Sequence, residues 1–300
     1  MRFYIVDVFA ETRLSGNQLA VFRDCAKLST VSMQKIAQEM HYSETTFITS
    51  EEPHNGGYDV RIFTPGNELP FAGHPTLGTA YIVQSQIMGK PAEKVILNMR
   101  VGQIPVTFSS SDGAPDVLWM RQKRPTFGKT FDRGRIARIL GLGASDLDKR
   151  FPVRLVSTGV PFVIVPLKGL QEIRKINVDN AALRRLFQET RSTVILVFSP
   201  ETYSKENQLN VRVLGVPENI PEDPATGSGN GCLAAYLVKH RYFGTDEVDI
   251  RVEQGYEIDR RSLLLLRAKR TPDGIEVNVG GRVQFVATGE FPEESGPGGN

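Results

Sequence analysis

The chain has 300 residues, with 36 Lys and Arg against 34 Asp and Glu. A balance this even excludes the electrostatic footprint of a nucleic-acid or membrane-surface binder, and no apolar run approaches the roughly 18 residues of a membrane span. The default partner is a small molecule or a second copy of the chain.

Length leaves room for about two domains of ordinary size. Met1 to Asp7 alternates like a strand at once, without the basic and apolar regions of a secretion leader, and a cytoplasmic location is expected. Cys25 and Cys232 are far apart and form no C-x-x-C, so neither a disulfide frame nor a thiolate metal site is expected. His41, His54, His74 and His240 have no metal-ligand spacing. No metal and no cofactor are expected.

Residues 2 to 9 read as a strand and Leu19 to Phe22 as its partner, with a polar turn between them that contains Gly16 and Asn17. Ser29 or Thr30 can cap a helix whose Met33, Ile36, Ala37 and Met40 form one stripe. Thr45 to Thr49 is β-branched and reads as a strand, which puts Ser43 and Glu44 at a helix-to-strand junction. After the Asn55-Gly56-Gly57 turn comes a strand over 58–63. Pro75 suits a first helical turn, which would make His74 the N-cap of a helix, Leu77 to Met88, that is apolar around most of its circumference. Strands are expected at 94–98, 104–108 and 117–121, and Ser109 to Pro115 is the most loop-like stretch in mid-chain.

Beyond it the plan repeats. A helix starts near Asp132, strands are expected at 153–157 and 161–165, Asp179 caps another helix, and strands over 194–198 and 209–214 lead into a second apolar helical run, Cys232 to Val238. Further strands are read at 248–252, 263–267, 275–279 and 283–287.

The duplication is visible in two stretches. Val60 to Phe63 leads through Asn67-Glu68-Leu69-Pro70 to Gly73-His74-Pro75-Thr76, and Val211 to Leu214 leads through Glu218-Asn219-Ile220-Pro221 to Asp223-Pro224-Ala225-Thr226-Gly227-Ser228. Each runs from a strand into a helix whose first turn carries the polar groups. The expected class is α+β, two similar lobes, each a curved barrel-like mixed sheet around a central apolar helix. The first lobe is set at 1–115 and the second at 116–282, leaving open whether a last strand near 283–290 crosses back to the first. The tail 294–300 has nothing to bury and is read as disordered.

A helix N-terminus opening with glycines offers unpaired N–H donors and suits a carboxylate or phosphate; a Gly-rich turn into a closely packed helix fits the same composition equally well. Gly227-x-Gly229-x-Gly231 is not the dinucleotide spacing, and no Walker pattern follows. Glu44 reads either as a solvated cap or as a carboxyl desolvated in a cleft, where it would carry a proton near neutral pH.

Leu14-Ser15-Gly16-Asn17-Gln18-Leu19-Ala20-Val21, Ser43-Glu44-Thr45-Thr46-Phe47, Phe63-Thr64-Pro65 running to Gly73-His74-Pro75-Thr76, and Asp223-Pro224-Ala225-Thr226-Gly227-Ser228 together resemble the PhzF-like family of phenazine biosynthesis. The resemblance implies a diaminopimelate-epimerase-like fold with the active site between the lobes, a homodimer, and proton transfer by Glu44 with His74 and Asp223 as the other catalytic groups. Ser228, Gly73, Gly227, Thr226 and Asn17 are the matching substrate-binding positions, and the substrate would be a small carboxylate. Related racemases place a cysteine at each helix opening. Ala72 and Pro224 stand in those stretches here, and Cys232 lies inside the helix, so two-thiol racemisation is disfavoured. A metabolite-binding protein without turnover and a racemase with non-thiol bases remain as alternatives.

Overall fold

The computed structural model describes residues 1–111, 114–190, 192, 194–215 and 222–292. The first half runs β1 (Arg2–Val8), β2 (Asn17–Phe22), α1 (Thr30–Met40), β3 (Thr45–Ile48), β4 (Tyr58–Phe63), the short β5 (Glu68–Leu69), α2 (Gly73–Ile82), β6 (Lys94–Met99), β7 (Gly102–Ser111) and β8 (Ala114–Arg121). The second runs β9 (Thr126–Thr130), α3 (Arg133–Ile139), β10 (Arg154–Ser157), β11 (Pro161–Pro166), α4 (Leu170–Lys175), α5 (Asn180–Thr190), β12 (Ile195–Ser199), β13 (Leu209–Leu214), the short β14 (Glu222–Asp223), α6 (Gly227–Lys239), β15 (Glu247–Gln254), β16 (Ser262–Thr271), β17 (Gly274–Gly281) and β18 (Val283–Glu290).

Strand pairing gives two ladders of the same design. One is β18-β1-β2-β3-β4-β6-β7-β8; the other is β9-β10-β11-β12-β13-β15-β16-β17. In the first, only β2–β3 and β4–β6 are parallel; in the second, only β11–β12 and β13–β15 are. Parallel neighbours cannot be joined by a hairpin and need a crossover. The helices are those crossovers: α1 links β2 to β3, α2 links β4 to β6, α4 and α5 link β11 to β12, and α6 links β13 to β15.

Each curved sheet wraps its crossover helix. Every residue of α2 except Tyr81 is buried, as are Gly229 to Val238 of α6, and both helices belong to one continuous core with the strands. This is the physical reason for helices apolar all round. The amphipathic helices lie outside, α1 on an aromatic cluster of Phe22, Phe47 and Phe63 and α3 with α5 on another face. β8 pairs with β7 and also, antiparallel, with β17, which joins the two sheets. β18 lies beside β1.

The repeat extends to single side chains. Arg61 on β4 donates to both carboxylate oxygens of Glu68 on β5, each at 2.9 Å, and Arg212 on β13 does the same to Glu222 on β14 at 3.0 and 2.7 Å. β4 meets β5 as β13 meets β14, with Phe63 opposite Glu68 and Leu214 opposite Glu222. Glu68-Leu69-Pro70-Phe71-Ala72-Gly73-His74 therefore corresponds to Glu222-Asp223-Pro224-Ala225-Thr226-Gly227-Ser228. The register read from sequence, Asn67–Pro70 against Glu218–Pro221, is displaced; residues 218–221 themselves lie outside the described residues, as does the tail 294–300.

Three local expectations are corrected. Ser109 to Ser111 and Ala114 to Pro115, read as loop, continue β7 and β8. β9 and α4 were not expected; β9 is an exposed edge whose Thr126-Phe127-Gly128-Lys129-Thr130 has little apolar signal. His74 is not the N-cap of α2: Ala72, extended at φ −149° and ψ 149°, caps it, and Gly73, His74 and Pro75 are helical. Pro75 tolerates this because no N–H of the first turn has an intrahelical partner.

Candidate active site

The helices α2 and α6 meet at their N-termini. A Cβ built on Gly73 would lie 3.3 Å from the Ser228 amide nitrogen and 3.4 Å from the Gly227 Cα, and one on Gly227 would lie 3.2 Å from the Phe9 ring. A Cβ at either position would require its neighbours to give by a few tenths of an ångström. In α6 the bond from the Asn230 N–H to the Thr226 carbonyl, 3.0 Å, is the first intrahelical one. The amides of Gly227, Ser228 and Gly229 thus precede it and point past the helix end, where the positive end of the macrodipole also lies. Gly73 and His74 supply the facing pair from α2.

Glu44 enters from the junction before β3. Its Oε2 lies 3.5 Å from the His74 Nε2, too far for a formed hydrogen bond, and neither atom has a partner among the described residues. The Glu44 side chain keeps 18% of its exposure while its Oε2 is fully enclosed. Burial pushes its carboxyl up to about 8, with the charge of Asp223 adding to the rise. Burial pushes His74 down to about 3 against a backbone hydrogen bond to Gln18. Since Nε2 is unpartnered, that bond uses Nδ1, and the neutral ring presents a lone pair at Nε2 to Glu44.

Asp223 has the opposite environment. Asn17 Nδ2 donates to its Oδ1 at 2.8 Å and also to the Ala225 carbonyl at 2.9 Å, and the Thr226 hydroxyl donates to Oδ2. Burial raises Asp223 to about 6, while the donors from Thr226, Asn17 and the Ala225 backbone hold it below where burial alone would put it. The two neighbouring carboxyls are thus set apart by hydrogen bonding, since Asp223 has a donor on each oxygen while Glu44 Oε2 has none among the described residues.

The structure brings together all eight residues singled out in the sequence: Glu44 with His74, Asp223 with Asn17 and Thr226, and Gly73 against Gly227 and Ser228. Others carried no sequence signal. Phe9 is fully buried with φ +60°, an uncommon backbone for a bulky residue, and its ring is wedged against Gly227 and Gly281. Arg260, beyond β15, reaches across to the Asp7 carboxylate at 2.8 Å and to the Ser15 and Gly16 carbonyls at 2.9 and 3.1 Å. It thereby holds the turn that delivers Asn17. Gln254 and Asn230 lie behind Thr226. Cys232 is buried in α6 beside Thr158, its thiol pushed up to about 12 by desolvation, so it is no thiolate nucleophile. Among the described residues, no group of three or more His, Cys, Asp or Glu could hold a metal ion, and no helix is long and apolar enough to cross a membrane.

Two matched lobes that meet at facing helix openings, with two buried carboxyls beside them, define an epimerase-like α+β fold. The family described as phenazine biosynthesis-like protein matches residues 6–289. The trans-2,3-dihydro-3-hydroxyanthranilate isomerase of Pseudomonas aeruginosa is 32% identical over 289 residues, 96% of this chain and 98% of that one. The crystal structure of a Bacillus anthracis phenazine biosynthesis protein of the PhzF family superposes with a TM-score of 0.89 at 26% identity, covering 98% of this chain and 99% of that one. A probable proline racemase from Agrobacterium radiobacter shares the fold, with a TM-score of 0.63 at 11% identity over 99% of this chain and 94% of that one. The chain belongs to the phenazine biosynthesis-like, PhzF-type isomerase family.

Proposed function

We propose that this chain is a cofactor-independent isomerase that moves one proton within a small, cyclic or unsaturated carboxylate through Glu44. One observation carries the reading: Glu44 and Asp223 share a cleft, the first with no partner for Oε2 and the second with a donor on each oxygen. At neutral pH Glu44 is mostly the acid and Asp223 mostly the anion, a division of labour suited to proton transfer.

Those states set the order. Glu44 donates first, forming a C–H bond at one end of a conjugated system; the carboxylate left behind then takes a proton from another carbon, which restores the acid and shifts the double bonds. One C–H bond is made and one is broken. The order is the reverse of the removal-first sequence expected for an ionised base. In this reading the Asp223 anion steadies positive charge on the protonated conjugated system, and the neutral His74 aligns the Glu44 proton. Ser228 with the amides of Gly227 and Gly73 holds the substrate carboxylate, and Asn17 and Thr226 fix Asp223. The homodimer belongs to the same reading, and sedimentation tests it separately.

The activity named for the Pseudomonas aeruginosa relative makes trans-2,3-dihydro-3-hydroxyanthranilate the first substrate to try. Incubated with the protein in heavy water and followed by NMR, it should isomerise with deuterium at the newly protonated carbon, and Glu44→Gln should slow this by roughly 100-fold or more. Exchange at an undiminished rate in Glu44→Gln sinks the role of Glu44; binding without exchange across a broad set of unsaturated carboxylates sinks the isomerase reading.

A further inference from the structure

The two lobes, compared position by position, separate what the fold requires from what one opening alone uses. Arg61 and Arg212, Glu68 and Glu222, Pro70 and Pro224, and Gly73 and Gly227 are identical pairs. Leu69 and Asp223, Ala72 and Thr226, Thr76 and Asn230, and Met99 and Gln254 are not. The last two pairs form equivalent layers, since Met99 ends β6 as Gln254 ends β15. In the first lobe Thr76 Oγ1 donates to the Ala72 carbonyl at 2.7 Å and approaches the Met99 sulfur at 3.7 Å. In the second, Asn230 Nδ2 donates to the Thr226 carbonyl at 3.1 Å and to Gln254 Oε1 at 2.8 Å.

Gln254 is completely buried, and backbone groups that have only one role fix the orientation of its amide. The Thr226 N–H donates to Oε1 at 3.1 Å, and Nε2 donates to the Asp223 carbonyl at 2.8 Å. Flipping the amide would set donor against donor and acceptor against acceptor. The second hydrogen of Nε2 then falls on Thr226 Oγ1 at 3.0 Å. That hydroxyl accepts from Gln254, so its own proton is left for Asp223 Oδ2.

We infer that Gln254 is a positioning residue for the reaction: it sets the direction of the Thr226 hydroxyl and thereby holds Asp223 as a carboxylate with a donor on each oxygen, without touching substrate itself. The first lobe has the same fold with Met99 in this place and Leu69 where Asp223 stands, so this layer of the fold can be packed without an amide. It is needed where a carboxylate must stay ionised. This rests on the proposed role of Asp223, which the experiment separates from the role of Gln254.

Gln254→Met is close to isosteric and is the residue native to the equivalent position. If stranding the Thr226 and Asn230 donors prevents folding, Gln254→Met with Asn230→Thr restores the complete first-lobe layer. In protein labelled with [13C]aspartate at the carboxyl carbon, the Asp223 signal is the one lost in Asp223→Asn. Its proton affinity should rise about tenfold in Gln254→Met, the effect of one lost charge-assisted hydrogen bond. Thr226→Val should raise it as much, and the double variant should rise no further than either alone. The acidic limb of the exchange rate for trans-2,3-dihydro-3-hydroxyanthranilate in heavy water should move by the same amount, in kcat rather than KM. An Asp223 titration unchanged in Gln254→Met, or effects of Gln254→Met and Thr226→Val that add, would overturn the inference. If the wild type exchanges nothing while the Asp223 titration moves as expected, the functional reading fails and the placement of Gln254 stands.

Discussion

Glu44 Oε2 and His74 Nε2 face each other at 3.5 Å with no other partner for either among the described residues, and His74 is fixed from behind by the Gln18 backbone. A ring held through Nδ1–H and desolvated on its other side has one tautomer available and resists charging. With its affinity lowered to about 3, His74 should keep the same Nδ1–H pattern in 15N NMR from about pH 4.5 to 8.5. An imidazolium signal appearing near pH 6 would remove the neutral partner on which the Glu44 geometry depends.

Glu44→Gln should trade activity for stability. Below about pH 4 the carboxyl is protonated in both the folded and the unfolded chain and costs nothing. As pH rises, the unfolded chain releases this proton while the folded one retains it up to about 8, so the unfolded state binds fewer protons and stability falls; above about 8 the loss is complete. Replacing the carboxyl by an amide of the same size removes this, and Glu44→Gln should gain on the order of 3 kcal/mol at pH 7, with little gain at pH 4. Turnover should fall by roughly 10²- to 10⁴-fold. Urea denaturation at the two pH values checks the first statement; equal stabilisation at both would mean that Glu44 is not held protonated by the fold.

The duplicated ion pairs should differ in what they support. Arg212 and Glu222 keep only 14% and 5% of their side-chain exposure, against 28% and 15% for Arg61 and Glu68. Removing one charge from a buried pair strands the other, so Glu222→Gln should cost about 3 kcal/mol and Glu68→Gln about 1 kcal/mol, on the scale of more solvated pairs. Glu222 directly precedes Asp223, so its loss should also disturb the site, as a fall in kcat beyond the loss of folded protein. Equal costs in urea melts would show that burial does not separate the pairs.

Gly73 should be a position where a side chain costs substrate affinity more than folding. An Ala Cβ would press the Ser228 amide at 3.3 Å, a contact that relaxes only by parting the helix openings. Gly73→Ala should fold, with at most about 1 kcal/mol of change, but substrate affinity should fall, because the amides that converge on the carboxylate are moved apart. Gly89, at φ +62° with open space around it, is a control: an Ala there strains the backbone and leaves the site untouched. If KM rises as much in Gly89→Ala as in Gly73→Ala, the effect is not local.

The sequence carried the architecture because apolar periodicity is written by burial: α2 and α6 are apolar all round since sheets surround them, and the strand order follows from copying one plan. It singled out Glu44, His74 and Asp223 through the motifs around them, and the fold brings these three together. The register of the repeat was not legible, because Glu68 and Glu222 are recognised as partners only through Arg61 and Arg212 on neighbouring strands. Gln254 and Arg260 were invisible for a similar reason. One is a buried glutamine at a strand end that meets Thr226 and Asp223 only once β15 packs beside α6, and the other a loop arginine that meets the Asn17 turn only when the second lobe folds against it. Phe9 reads as the last residue of the first strand; β1 instead ends at Val8 and Phe9 turns left-handed, its ring against Gly227 and Gly281.

The cysteines make the last distinction, between moving a proton within a molecule and inverting a centre with two thiols. The residues that precede α2 and α6 are Ala72 and Thr226, so no thiol stands at either opening. Cys232 is five residues into α6, buried, and close to Thr158 Oγ1 and the Val160 carbonyl, both at 3.6 Å; Cys25 is buried under α1 with its thiol likewise raised to about 12. Thiols this desolvated are almost wholly protonated at neutral pH. Cys25→Ala with Cys232→Ala should therefore lower stability by about 1–3 kcal/mol through lost packing, leave the exchange rate of folded protein unchanged, and leave the wild type resistant to iodoacetamide. Loss of exchange at full folding, or rapid inactivation by the reagent, would return a thiol to the mechanism and set Glu44 aside.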